Sequence, residues 1–288
     1  MKRGESGLCG ILAVDKPKGI SSHDVVNAVR RVTGERRVGH AGTLDPMATG
    51  LLVVLCGRAT RASEYAEAAE KEYVAALRPG IVTDTQDICG AVLRRSGDLP
   101  TEDEFRAVLP RFTGVISQLP PMYSAIKVGG KKLYEIARRG GEVERQSREI
   151  TIHSLEYLGR QGEDFLLRVR CSKGCYIRTL CHDIGAALGC GGAMASLRRT
   201  RCLPFSVEDA CRVGEAAPER LLPLDSLFSS SPALTLNGRQ ERRCRCGNAF
   251  PLDGSDGTYR FYGPDGSFLA YGQVKDGVAS NIKSFFEV

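Results

Sequence analysis

The chain has 288 residues, 42% of them hydrophobic and 26% charged, with 40 Lys and Arg against 34 Asp and Glu for a net charge of +6. These values sit near the averages of globular proteins and exclude collagenous, low-complexity and intrinsically disordered chains. The longest purely apolar run, Leu51 to Cys56, is far short of the roughly 18 to 20 residues that cross a bilayer as a helix, so no membrane association is expected.

The apolar stretch after the Met-Lys-Arg opening is interrupted by Gly10 and runs into Asp15-Lys16-Pro17-Lys18. It reads as a first strand, Gly10 to Val14, and not as an export signal. Without such a signal the 11 Cys are expected to be reduced thiols of a cytoplasmic protein. Ser22 is the predicted cap of a helix carrying Val25, Val26, Val29 and Val32, and Gly34 ends it. A glycine-rich loop, Gly39 to Gly50, then leads into Leu51 to Cys56, which has the length of a buried strand.

Arg61 to Ala69 reads as helix, and Glu72 to Leu77 as a strand with Tyr73, Ala75 and Leu77 on one side. Helices are predicted over Thr101 to Leu109 and Leu133 to Arg138. Ile150 to Leu158 and Asp164 to Arg170 flank turn-like residues Gly159 to Glu163, the pattern of a hairpin. Cys175 to Leu188 has helical spacing, with Arg178 near its start. Ser229-Ser230-Ser231-Pro232 reads as a linker. The spacing lacks the strand–helix rhythm of a parallel sheet, which predicts a mixed α/β domain over residues 1–230 and a small all-β appendage over 231–288.

Residues 16–61 and 168–212 each hold eight basic and three acidic residues, so each block is +5 and the remainder of the chain is −4. If the blocks meet in space they form the basic surface expected of a nucleic-acid binder. The alternative is two ordinary solvated faces, and charge alone does not choose. Neither the phosphate-loop nor the dinucleotide glycine pattern is present, so no nucleotide cofactor is expected. Cys171, Cys175, Cys181, His182 and Cys190 cluster, and Cys244 stands near Cys246, but without paired Cys-x-x-Cys spacing; buried thiols are expected and no metal. Gly39-His40-Ala41-Gly42 matches the Gly-x-x-Gly clamp of KH domains, a match too short to carry weight.

Asp45 stands in the glycine-rich loop directly before Pro46, which biases it toward extended backbone. An ionised carboxylate there can act as nucleophile or base. It can equally cap its own turn. The run Gly39-His40-Ala41-Gly42-Thr43-Leu44-Asp45-Pro46-Met47-Ala48-Thr49-Gly50-Leu51-Leu52 closely resembles the catalytic motif of the TruB family, the bacterial tRNA pseudouridine-55 synthases. Further stretches agree in order: Lys71-Glu72-Tyr73, Thr83-Asp84-Thr85-Gln86-Asp87, Gln118 to Lys127, Cys171 to Leu180, and Leu197-Arg198-Arg199-Thr200. The resemblance covers about residues 10 to 228, and the tail is similar to the PUA-like RNA-binding appendages of the family. Cys175 stands where the family is expected to have Thr, and Pro79 where it has Leu.

The resemblance implies a mixed, largely antiparallel central sheet flanked by helices, with a small β-rich C-terminal domain. It implies isomerisation of uridine 55 in the T-loop of tRNA: the N-glycosidic bond breaks, the base rotates and a C-glycosidic bond forms. The partner is then the tRNA T-arm stem-loop, with no cofactor, metal or obligatory protein partner. A base inside a folded loop must be extruded to be reached, and a flipped base is held by stacking on aromatic or apolar side chains.

By resemblance Asp45 is the nucleophile, attacking the ribose C1′ or the uracil ring or assisting glycosidic cleavage, and Arg178 pairs with it. Tyr73 is the stacking partner, Leu197 an apolar wall, and Tyr176 a contact to base or ribose. His40 either contacts RNA near the flipped nucleotide or supports the backbone. Lys16, Lys18, Arg198, Arg199 and Arg201 are assigned to phosphates; Lys71 is either a member of the site or equally an ordinary exposed strand residue, and Tyr123 and Lys127 are read as supports of the sheet and left out of the site. Two rival readings are a noncatalytic RNA-binding protein and an RNA-guided pseudouridine synthase that needs guide RNA and partner proteins. The compact tail and the form of the Gly39 to Leu52 loop disfavour the second.

Overall fold

The computed structural model describes residues 6–124, 126–137, 140–141 and 143–286, and the chain divides into two compact units. One is assembled from Met1–Leu44, Leu51–Glu67 and Leu203–Val288, the other from Asp45–Gly50 and Ala68–Cys202.

The second unit is built on antiparallel strands in the spatial order Gly192–Cys202, Lys71–Pro79, Asp164–Cys171, Arg148–Gln161 and Gly114–Gln118. In Lys71–Pro79 the residues Tyr73, Ala75 and Leu77 are buried while Glu72, Val74 and Arg78 are half-buried, the period of two that a strand imposes. Pro79 closes this strand, a position where proline is tolerated. The hairpin turn is shorter than predicted: Gly162 and Glu163 alone form it, and Arg148–Gln161 runs through Gly159. A register shift between Tyr157 and Gly159, with Gly159 at φ 115°, absorbs the turn-prone glycine inside the strand as a bulge.

Thr101 and Glu104 form a capping box on helix Glu102–Val108, and Phe105 stacks on Phe165 with ring centroids 4.1 Å apart. The helix predicted to end at Arg138 covers Leu133–Ala137, and Arg138 lies outside the described residues. The last helix of this unit is Ile177–Ala187, which buries Ile177, Leu180, Cys181 and Ile184. Cys175 and Tyr176, predicted as helical, precede it.

In the first unit, strand Gly10–Lys16 lies between Cys211–Arg212, to which it runs parallel, and Thr49–Cys56, and Val38–Ala41 pairs antiparallel with Thr49–Cys56. Helix Ser22–Thr33 packs Val25, Val26 and Val29 against Leu12, Val14, Leu52 and Val54. Its cap is Ser21, not the predicted Ser22: Ser21 Oγ accepts the Asp24 N–H at 3.1 Å, and the Asp24 carboxylate accepts the Ser21 N–H at 2.8 Å. Only with Ser21 at the cap does the acid fall three residues on, where a capping box closes. Gly34 at φ 66° ends the helix as predicted. The helix predicted over Arg61 to Ala69 is a 3-10 segment, Gly57–Ala62, followed by an α-helix at Ser63–Ala68.

Beyond residue 232, strands Ala233–Thr235, Gly257–Tyr262, Phe268–Lys275, Val278–Ser284 and Phe250–Pro251 form a separate five-stranded sheet in that order. Leu236, Cys244, Phe250, Phe261, Leu269, Ala270, Val274 and Ala279 are buried together there. The tail is not all-β as predicted, because Gly238–Arg245 is an α-helix. Asn237 accepts the N–H groups of Arg239 and Gln240, both at 3.0 Å, and the Gln240 amide oxygen accepts the Asn237 N–H at 3.0 Å. This capping box nucleates helix in a stretch whose Gly content suggested otherwise. Among the described residues no helix is long and apolar enough to cross a membrane.

Candidate active site

Two structural constraints hold the Asp45 loop. Leu44, the residue before it, is tied to the buried Ser22, whose hydroxyl donates to the Leu44 carbonyl at 3.0 Å and accepts the Leu44 N–H at 2.9 Å. Downstream, Thr49 and Gly50 run parallel to Arg198 and Arg199 of strand Gly192–Cys202. Gly50 has φ 100°, and a Cβ there would stand 2.3 Å from the Arg199 carbonyl oxygen, so only glycine permits this approach. Between these constraints the Asp45 carbonyl accepts the Ala48 N–H at 3.0 Å, closing a turn with the Asp45 side chain 36% exposed.

Arg178, second residue of helix Ile177–Ala187, is buried, with its side chain 7% exposed. A buried guanidinium must have its donors satisfied. Its Nε lies 3.0 Å from Asp45 Oδ2 and its Nη2 donates to Asp45 Oδ1 at 3.4 Å, the two-pronged geometry of an Arg–carboxylate pair. Nη2 also donates to the Tyr123 carbonyl at 2.7 Å and Nη1 to the Thr85 carbonyl at 3.2 Å, with Asp87 Oδ2 3.9 Å away. The pairing places a positive charge against the Asp45 carboxylate and fixes its rotamer.

The segment 83–89 supports this arrangement. Asp87, itself buried, accepts the Cys89 N–H at 2.9 Å and the Thr85 hydroxyl at 2.8 Å on Oδ1. Gln86 has φ 63°, a left-handed conformation that costs a non-glycine residue of the order of 1 kcal/mol or more. It is held there by the Met194 N–H on its carbonyl at 3.0 Å and by the Thr179 hydroxyl on its side-chain oxygen at 2.8 Å. Tyr176, just before the Arg178 helix, exchanges two hydrogen bonds with the side chain of Gln118: its N–H donates to Gln118 Oε1 at 2.8 Å and its carbonyl accepts from Gln118 Nε2 at 3.0 Å.

Tyr73 and Leu197 occupy neighbouring strands. Tyr73 stands opposite Arg199 and Leu197 opposite Ala75, which puts Tyr73, Ala75, Leu197 and Arg199 on one face of the sheet. Burial pushes the Tyr73 phenol well above its ordinary pKa, an effect opposed by the charge and hydrogen bond of Arg199. Cys175 is held up likewise, first by its hydrogen bond to Cys171 and then by burial, so the unexpected thiol is accommodated in its neutral form. His40 belongs to the other unit, in strand Val38–Ala41 opposite Val54. It lines a cavity of about 410 Å³ with Arg30, Arg36, Arg37, Thr60 and Glu67.

Two of the basic residues assigned to phosphates are internal. Lys16 is 0% exposed, its Nζ donating to the carbonyls of Pro17 at 3.0 Å and Ile20 at 2.8 Å, and Arg199 is 1% exposed. Neither can present its charge to a phosphate without leaving the core. Lys18 and Arg201 are exposed, and Arg198 is half-buried with Nη1 3.5 Å from the Thr49 hydroxyl. Tyr123, read from the sequence as a support of the sheet, lies in a bend outside any strand and serves through its carbonyl, and Thr85, Asp87 and Gln118 were not singled out. Only their place inside the quoted motif stretches pointed to them. Among the described residues no three His, Cys, Asp or Glu side chains converge to hold a metal ion.

Residues 30–177 match the family model described as TruB family pseudouridylate synthase (N terminal domain), and residues 178–228 the tRNA pseudouridylate synthase B C-terminal domain. The chain is 44% identical to the tRNA pseudouridine synthase B of Aromatoleum aromaticum over 272 residues, covering 92% of this chain and 88% of that protein. It is 43% identical to the protein of the same name from Thermobifida fusca over 287 residues, covering 96% and 98%. Among solved structures it is similar to a Cbf5-Nop10-Gar1 complex at 27% identity and a TM-score of 0.71, covering 96% of this chain and 85% of the matched one. It shares the fold, at 24% identity and a TM-score of 0.72, with an H/ACA RNP bound to a substrate RNA containing 2′-deoxyuridine.

Proposed function

Since the chain belongs to the TruB family of pseudouridylate synthases, we propose that it isomerises uridine 55 in the T-loop of tRNA, with Asp45 as the attacking carboxylate. It is a tRNA pseudouridine synthase, an isomerase that converts uridine to pseudouridine. The observation that carries the finer reading is the two-pronged Arg178–Asp45 pair in a loop fixed by the approach of Gly50 to Arg199.

In this reading the T-arm enters with the target nucleotide extruded, because the reacting bond is otherwise inside the folded loop. Asp45 attacks, the C1′–N1 bond breaks, the base rotates, C5 bonds to C1′, and the bond that Asp45 formed breaks again to return the free carboxylate. The C5 proton is lost and N1 gains one, so the product has the composition of the substrate. Arg178 holds the carboxylate ionised and aimed before substrate arrives, the preorganisation that makes an electrostatic contact effective. Tyr73 and Leu197 offer the aromatic and apolar face for the base, Tyr176 a contact to base or ribose, and His40 a contact to RNA. Exposed Lys18 and Arg201 and half-buried Arg198 are the phosphate contacts that remain from the sequence assignment.

We further propose residues 1–230 as the catalytic region and 231–288 as an RNA-binding appendage. Helix Gly238–Arg245 supports this by presenting Arg239, Arg242 and Arg243 to solvent. No protein partner is required in this reading, and the protein works in the cytoplasm, where its substrate is. The RNA-guided reading gains only the likeness to Cbf5 assemblies, at 27% identity against 44% for a tRNA pseudouridine synthase B. Asp45→Asn tests the assignment: T-arm affinity stays within about threefold while release of tritium from C5-labelled uridine falls by at least about 10³. A variant that still turns over would remove Asp45 from the chemistry.

A further inference from the structure

We propose that Gln118 is a positioning residue for the isomerisation, setting the backbone of Tyr176 and through it the helical turn that carries Arg178 to Asp45. This rests on the roles of Asp45, Tyr176 and Arg178 proposed above.

Tyr176 is the cap residue of helix Ile177–Ala187, yet its side chain makes no capping hydrogen bond. A helix start leaves N–H groups without intrahelical partners, and the residues favoured at caps, Ser, Thr, Asp and Asn, are absent from this position. In their place a side chain from a different strand grips the cap residue itself. The primary amide of Gln118 offers an acceptor and a donor side by side, and the structure uses both, at 2.8 Å to the Tyr176 N–H and 3.0 Å to its carbonyl. The same carbonyl accepts the Leu180 N–H at 3.0 Å, the bond that opens the helix. Gln118 therefore shares the acceptor on which the first helical turn is hung.

Gln118 is 2% exposed, so water cannot replace either bond. Its own backbone is fixed as the last residue of Gly114–Gln118, paired with Arg148. Arg178 follows Tyr176 by two positions and meets Asp45 at 3.0 Å and 3.4 Å. A rotation of the Tyr176 peptide redirects the Tyr176 ring and the Arg178 side chain together. Glu supplies only the acceptor when ionised, and Met supplies neither bond at nearly the same size, so the amide is the group the geometry requires.

The test compares Gln118→Met and Gln118→Glu with the unsubstituted protein in three measurements: single-turnover tritium release from saturating C5-labelled T-arm RNA, affinity for that RNA, and amide hydrogen exchange across residues 175–180. For Gln118→Met the account expects a single-turnover rate at least about tenfold lower, affinity within about twofold and faster exchange at Tyr176. Gln118→Glu falls between the two. A folded Gln118→Met protein with a rate within about twofold of the parent and unchanged exchange overturns the proposal. Should Gln118→Met fail to fold, Gln118→Glu decides: equality with the parent in rate and exchange overturns it. If the parent itself releases no tritium, the proposed function falls, and the clamp is then judged by exchange alone.

Discussion

Lys16 lies at the end of the first strand with no exposed surface, its ammonium bonded to two backbone carbonyls. Two residues on, Lys18 is exposed. The two look alike in the sequence and differ entirely in role. Lys16→Ala strands buried carbonyls and opens a cavity, for an expected loss of about 2–4 kcal/mol. Lys18→Ala is expected to stay within about 0.5 kcal/mol. Urea unfolding of both variants measures the difference, and equal midpoints would place Lys16 at the surface. The same limit explains what could be read of the site. The pairing of Asp45 with Arg178 was legible because long motif stretches surround both residues. The carbonyls of Thr85 and Tyr123 that hold Arg178 carry no side-chain identity, so no residue type announces them, and Gln118 and Asp87 act by geometry that only the folded strands create.

At the level of elements, the loop that presents Asp45 depends on a close approach that its glycine permits. Gly50→Ala would set a methyl 2.3 Å from the Arg199 carbonyl oxygen at φ 100°. The strain of such overpacking is roughly 2 kcal/mol, which lowers the melting midpoint by about 4–8 °C in a chain of this size. Because the loop must shift to relieve it, single-turnover activity is expected to fall at least about tenfold. Gly39→Ala is the control, since its Cβ would meet nothing closer than Thr60 Cγ2 at 3.9 Å. Calorimetry and rate measurements on the pair check this, and a Gly50→Ala protein indistinguishable from Gly39→Ala would refute it. Strands such as Lys71–Pro79 were readable from alternation, and the first helix from its valines and Gly34. The boundaries failed where competing signals were adjacent: two serines at one cap, a turn-prone glycine inside a long strand. Helix Gly238–Arg245 escaped because eight residues give too few turns for periodicity to outweigh a glycine-rich, β-prone setting.

Across the molecule, the mild net charge of +6 hides different uses of basic residues. In the block 168–212, Arg168 pairs with Glu156 at 2.8 Å and Arg170 with Glu70 at 3.2 Å, while Arg178 and Arg199 are buried. Arg170, Lys173, Arg201 and Arg212 are the exposed basic residues of that block, and Arg168 and Arg198 are half-buried. In the block 16–61, Lys16 is internal, Arg58 is half-buried and Arg30 donates to the Val38 carbonyl at 2.9 Å, leaving Lys18, Arg31, Arg36, Arg37 and Arg61 exposed. The charge counted from the sequence therefore overstates what RNA can meet, and its use by the fold could not be read from composition. The central claim is that this chain, by itself, carries the whole isomerisation. The purified protein incubated with an unmodified T-arm stem-loop, without guide RNA or other proteins, should convert the single T-loop uridine corresponding to position 55 to pseudouridine, detected by tritium release and by mapping the modified base. Conversion at that uridine is the predicted result, and no conversion by the folded, RNA-binding protein would contradict the account.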